Sequence, residues 1–213
     1  MKRRIMLMLS AVLTAAVLSG CGAQDTTADT ASGQTSDGGD YHMTFDNYGR
    51  EVTISEQPER VLTLGPNCTE LFAALGLEDY VIGRSLVNHS RGPLDEYADA
   101  VNGIPELNHG SATREAILSS GADFIYAIDW EISDTGCNID EAGEYGMNVY
   151  VNSAATLEQQ YQEILDIGKI FGVEDAAESF VADQRARIEA VQTAVAGGEP
   201  VDVLVYDSGS NGV

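Results

Sequence analysis

Residues 62 to 76, "LTLGPNCTELFAALG", place a thiol where an apolar strand turns into a helix. Two chemistries suit that position. A helix amino terminus lowers the pKa of a cysteine, which would make Cys68 a nucleophile if a base stood beside it. Alternatively Asn67, Cys68 and Thr69 form the lip of a binding cleft, because the first N–H groups of a helix and their partial positive charge attract anionic ligand groups. The candidate bases are His42, His89 and His109, and none stands at a recognisable partner spacing. The lip is therefore the better-supported reading, and Cys68→Ser separates the two, since a binder tolerates it and a thiol enzyme does not.

Two more side chains follow strand-like segments and so belong at the same end of a sheet. Arg84 closes "YVIGRS" (80–85), and its guanidinium fork suits carboxylate, hydroxamate or catecholate oxygens as well as a surface ion pair. Trp130, the only tryptophan, follows "DFIYAI" (123–128) between Asp129 and Glu131, where a broad ring serves either as a platform for a flat ligand or as edge packing. Three scattered histidines and no C-x-x-C spacing count against a zinc or manganese site. Whether Cys68 and Cys137 pair is left open by their positions in the sequence.

The elements that must hold these residues alternate between strand and helix, the pattern of an α/β fold with a mainly parallel sheet flanked by helices. "RVLTLG" (60–65) predicts a buried strand and "NCTELFAALG" its helix, with Asn67 as N-cap, Glu70 completing a capping box and Gly76 as the stop. A helix over 113–120 precedes the strand 123–128, and "MNVYVN" (147–152) is a further strand. Some forty residues of helix follow, with Thr156 and Gln159 as one cap pair and Asp175 and Glu178 as another. Phe180, Ile188, Val191 and Val195 form the expected inner stripe of the second helix, and "VDVLVYDSG" (201–209) reads as a new strand.

The chain begins with Lys2, Arg3 and Arg4, an uncharged apolar run from Ile5 to Leu18, and Leu18-Ser19-Gly20-Cys21. The run is too short for a bilayer core, which makes residues 1–20 a secretory signal. Residues 22–40 carry no large apolar side chain and predict a flexible tether. The net charge is −23, and losing the three basic residues of the signal deepens it. So acidic a chain repels polyanions, which excludes nucleic acid as a partner and keeps the protein soluble.

Taken together, "RVLTLGPNCTELFAALGLEDYVIGRS", "NGIPELNHGSATREAILSSGADFIYAID" and the stretch from Tyr145 to Ile188, with its strand and long helix pair, resemble the iron-chelate and cobalamin class of substrate-binding lipoproteins of bacterial ABC importers. Leu18–Cys21 likewise resembles a lipobox, which implies acylation of Cys21, a membrane anchor and an extracytoplasmic location. The resemblance implies a clamshell of two α/β lobes joined by a helical connector, with the ligand in the cleft between them. On this chain it assigns 21–42 to the anchor and tether, 43–155 to the N-terminal lobe, 156–198 to the connecting helices and 199–213 to the first strand of a truncated second lobe.

It further implies a non-enzymatic protein without a resident cofactor, capturing a ferric siderophore, haem or cobalamin for the permease and ATPase subunits. His109 falls where the resembling proteins face ligand, and Glu115 where a glutamate pairs with permease arginines. Read from the residues alone, His109 is a loop histidine and Glu115 a first-turn glutamate favoured by the helix dipole. The rival readings are a surface sensor or interaction module that has lost transport, a bare-metal receptor for zinc or manganese, and a thiol enzyme.

Overall fold

The computed structural model describes residues 41–89, 91–199 and 201–204. The leader, Cys21 and the tether therefore lie outside the described residues, as do 205–213.

Four parallel strands form the central sheet: β3 (Val61–Leu64), β4 (Val81–Ser85), β5 (Phe124–Ile128) and β6 (Asn148–Asn152), in the spatial order β4-β3-β5-β6. The two inner strands, VLTL and FIYAI, are buried throughout, as expected of parallel strands covered on both faces. One face packs Val61, Phe124, Tyr126 and Tyr150 against helices α1 (Pro66–Ala74), α5 (Leu157–Phe171) and α6 (Glu174–Val195). On the other, Leu62, Leu64, Ile125 and Val149 meet α3 (Arg114–Ser119) and α4 (Ile139–Glu144) through Ile117 and Ala142. A short α2 (Ala98–Gly103) completes the helices. Phe171, at the end of α5, is the hub of the first face, with Phe72, Tyr80 and Phe124 edge-on at 5.2, 5.3 and 5.6 Å.

A hairpin of β1 (Met43–Asn47) and β2 (Arg50–Ile54) precedes the sheet and covers its β6 edge. The signal for it is the apolar–polar alternation on either side of Tyr48-Gly49, both of which take positive φ, as a tight hairpin turn demands. Asn47 donates to the Val151 carbonyl at 2.8 Å and accepts from its N–H at 2.7 Å, while the Arg50 guanidinium bonds the Val149 carbonyl. Side chains of the hairpin thus satisfy backbone groups that an edge strand leaves open.

Several local expectations are corrected. Helix α1 starts with Pro66 at its first position, Gly65 is the N-cap residue, and no side chain caps it. A proline needs no N–H partner, so Asn67 falls inside the first turn and Glu70 is released to accept from the Leu94 N–H at 2.8 Å. Helix α6 begins at Glu174 after an uncapped Val173, so Asp175 and Glu178 form no cap pair.

The connecting region is two helices, broken where Gly172 takes φ 68°. Thr156 does cap α5, accepting from the Gln159 N–H at 3.2 Å. At 22 residues α6 outruns the 15-residue α5 by about 10 Å. Its last turns carry Val191 and Val195 exposed rather than inward. Among the described residues, 201–204 form no strand, and Val201, Val203 and Leu204 are exposed; the rest of the segment expected as a strand, 205–209, lies outside them.

Candidate functional site

Three parallel strands deliver their carboxyl ends to one place. Pro66 and Asn67 follow β3, Asp129 and Trp130 follow Ile128 of β5, and Ser153 and Ala154 follow Asn152 of β6; together they line an open cleft of about 420 Å³. This is the crevice where open α/β sheets hold ligands.

Its floor depends on Gly65, which leaves β3 with φ 139° and ψ 143°. A Cβ at that position would stand 2.8 Å from Ile128 Cγ2 and 3.1 Å from Asn67 Oδ1, so only glycine allows β3 and β5 to end side by side under Asn67. Trp130 stands at the rim, 53% exposed.

The polar groups of the cleft are ordered from beneath. Asn67 Nδ2 donates to Asn152 Oδ1 at 2.7 Å, and Asn152 Nδ2 donates in turn to Gln160 Oε1 at 3.2 Å and to Glu163 Oε2. Glu163, buried on α5, also accepts from the Ser153 N–H at 3.1 Å. Burial raises its pKa, while hydrogen bonds from the Ser153 and Ala154 N–H groups and from Asn152 act in the opposite direction. The lining holds one carboxylate, Asp129, and no arginine, lysine or histidine.

The expected site residues separate in space. Asn67 and Trp130 meet in this cleft. Thr69 and Arg84 line a second, smaller cavity of about 110 Å³ with Glu70 and Ser85 on the far side of Pro66. There Arg84 Nε bonds the Ile104 carbonyl at 3.1 Å, and the buried Thr69 hydroxyl lies 2.9 Å from Thr63 Oγ1 and donates to the Gly65 carbonyl at 3.0 Å. Contact between these two and a ligand in the main cleft is thus not what the geometry supports.

Cys68 is corrected more sharply. It has no exposed surface, and it belongs to the apolar cluster behind α1 rather than to the lip. Burial pushes its thiol well above the usual range, reversing the expected effect of the helix start. Cys137, also buried, is pushed up to about 12 by the same cause, and both thiols are free. Cys68 packs in the cluster with α1 and Cys137 in the one with α4, so the sheet lies between them and no disulfide forms.

His109 lies on an exposed loop, Nδ1 3.4 Å from Glu106 Oε2, and lines neither cavity. Glu115 is exposed in the first turn of α3 beside Arg114, whose guanidinium binds both carboxylate oxygens of Glu141 on α4. Among the described residues no cluster of histidine, cysteine and carboxylate ligands could hold a metal ion.

Asn152 and Ser153 went unremarked in the sequence, although the rule that singles out Arg84 and Trp130, a polar residue at the end of a predicted strand, applies equally to "MNVYVN". Glu163 had no such signal, because its role depends on where α5 packs.

Comparison with known proteins agrees with this architecture. An uncharacterized ABC transporter substrate-binding lipoprotein of Bacillus subtilis is 26% identical over 194 residues, 90% of this chain and 59% of that protein. A cobalamin-binding protein of Halobacterium salinarum is 26% identical over 156 residues, covering 73% of this chain and 40% of its own length. The chain thus spans about half the length of these relatives. A solved periplasmic binding protein from Veillonella parvula superposes with a TM-score of 0.65 at 21% identity, over 76% of this chain and 56% of that one, and shares the fold. The model of the family described as periplasmic binding protein matches residues 61–213, and on that match, together with the strand-end cleft and its helical flank, the chain belongs to the periplasmic binding protein family.

Proposed function

We propose that this chain is the ligand-capturing part of an extracytoplasmic substrate-binding lipoprotein of an ABC importer, anchored through Cys21, whose cargo is cobalamin or a metal chelate of comparable size. The observation that carries the reading is the half-exposed Trp130 ring at the rim of a cleft built from three strand ends. Such a ring offers dispersion and stacking surface to a macrocycle without demanding a charge. The cleft acts by binding, and the Cys68 thiol beside it is buried and held protonated, which leaves that thiol no part in covalent chemistry.

Within the class implied by the resemblance, cobalamin is favoured over haem and ferric siderophores. Haem carboxylates and catecholate or hydroxamate chelates want cations, whereas the lining presents Asp129 and amide groups. Delivery to a permease would use Glu115. Its neighbour Arg114 is neutralised by Glu141, so the start of α3 presents negative charge to a basic partner surface.

Because Trp130 is the only tryptophan, its fluorescence reports on the cleft alone. Titration with cyanocobalamin should quench it saturably, and haemin and a ferric hydroxamate should bind at least tenfold more weakly. Isothermal titration of Trp130→Ala should then show affinity for cyanocobalamin reduced by about tenfold or more. Failure of all three probes to bind saturably refutes the reading, and a preference for haemin refutes the choice of cargo.

A further inference from the structure

We propose that Glu163, which does not line the cleft, is a positioning residue that fixes which face of the Asn67 amide a ligand meets. The inference rests on the cleft reading above and concerns the polarity of that cleft.

The argument follows donors and acceptors along three residues. Glu163 is an acceptor of the Ser153 N–H, the Ala154 N–H and Asn152 Nδ2, and a carboxylate with three such donors has no hydrogen to give. Asn152 must therefore turn its NH₂ toward α5, where Gln160 Oε1 takes the second hydrogen. That leaves Asn152 Oδ1 pointing at Asn67, and an oxygen there demands a donor, which Asn67 supplies through Nδ2. Asn67 is consequently held with Oδ1 turned away from Asn152. Each amide has two orientations of equal shape, and the carboxylate at the far end selects one for the whole chain of bonds.

The consequence is a cleft wall that presents acceptors. With the Asp129 carboxylate in the lining and Asn67 Oδ1 turned from Asn152 toward Gly65 at the floor, this wall suits a ligand whose rim carries N–H or O–H donors, such as the amide side chains of a corrinoid. An anionic rim would meet oxygen against oxygen.

A substitution pair tests the relay by sign rather than by size. Glu163→Gln keeps the shape but replaces one acceptor oxygen with an NH₂ group. Its oxygen is claimed by the Ser153 and Ala154 N–H groups, so its NH₂ faces Asn152 and reverses both downstream amides, at the cost of setting Asn152 Oδ1 against Gln160 Oε1. Asn67→Asp alone sets a carboxylate against Asn152 Oδ1. Combined, the two changes are compatible again, because the reversed Asn152 donates to the new carboxylate.

Urea unfolding of the chain should show each single variant destabilised and the double variant better than additive, by a coupling of about tenfold in the unfolding constant. Additive effects overturn the relay, and so does a double variant less stable than the sum of the singles. This readout needs no ligand, so it decides the proposal even if no probe binds. Where cyanocobalamin does bind, Glu163→Gln should weaken it about tenfold and the double variant should recover most of the loss. Recovery of stability without any change in binding in Glu163→Gln would overturn the link to the cleft.

Discussion

Gly65→Ala perturbs the floor of the cleft at a single carbon. Two costs add. At φ 139° and ψ 143° an L-residue sits in backbone space that glycine alone occupies comfortably, worth about 1–3 kcal/mol. The new methyl also stands 2.8 Å from Ile128 Cγ2 and 3.3 Å from its Cδ1, in a buried position between two strand ends, which adds overpacking of about 1–3 kcal/mol. A total of about 4 kcal/mol is expected, equivalent to a fall in Tm of about 8–16 °C for a domain of this size. Urea unfolding followed by far-ultraviolet circular dichroism measures it directly. Making the same change in an Ile128→Ala background separates the two contributions, because only the steric part is relieved. A cost below about 1 kcal/mol, or no relief in the Ile128→Ala background, refutes the account of how β3 and β5 are brought together under Asn67.

Phe171→Ala should cost about 3–5 kcal/mol, since it removes the ring on which Phe72, Tyr80 and Phe124 converge; the urea midpoint checks it. Cys68 and Cys137 should resist iodoacetamide in the native protein at pH 8 and alkylate fully in denaturant, because burial holds both thiols protonated and covered; mass spectrometry counts the adducts. The hydrogen bonds from Arg114 hold the Glu141 carboxyl below its ordinary value of 4.5, so the stability of this pair is present above that value and is lost as pH falls through the lowered one. Wild type should therefore gain more stability than Arg114→Ala when the pH is raised from about 3 to about 6, and thermal melts across that range at low salt give the comparison.

Much of the architecture was legible because it is carried by local pattern. Within "RVLTLG" and "DFIYAI", the runs VLTL and FIYAI show no apolar–polar alternation, which is what strands covered on both faces require, and both runs are buried throughout. The cap at Thr156 needs only a hydroxyl and a backbone N–H three residues apart. That Trp130 and Asn67 line one cleft was legible because the carboxyl ends of parallel strands must share one rim, whatever the order of the strands.

The failures have the opposite character. Asn67 looked like a helix cap, but Pro66 can start a helix one residue earlier, and the freed amide found Asn152 across the sheet. Val191 and Val195 fit a helical stripe, but a stripe is buried only as far as its partner helix extends.

By itself, then, the amino-acid order determined the alternation of strand and helix, the acidity, and the set of polar residues delivered to strand ends, since each depends on neighbours a few positions away. Only the tertiary structure decided that Cys68 is core rather than lip, that Thr69 and Arg84 belong to a different cavity from Trp130, and that a glutamate 96 positions after Asn67 governs its amide. Those outcomes depend on which helix lies against which face of the sheet, and side-chain burial and hydrogen-bond direction follow from that packing rather than from spacing along the chain.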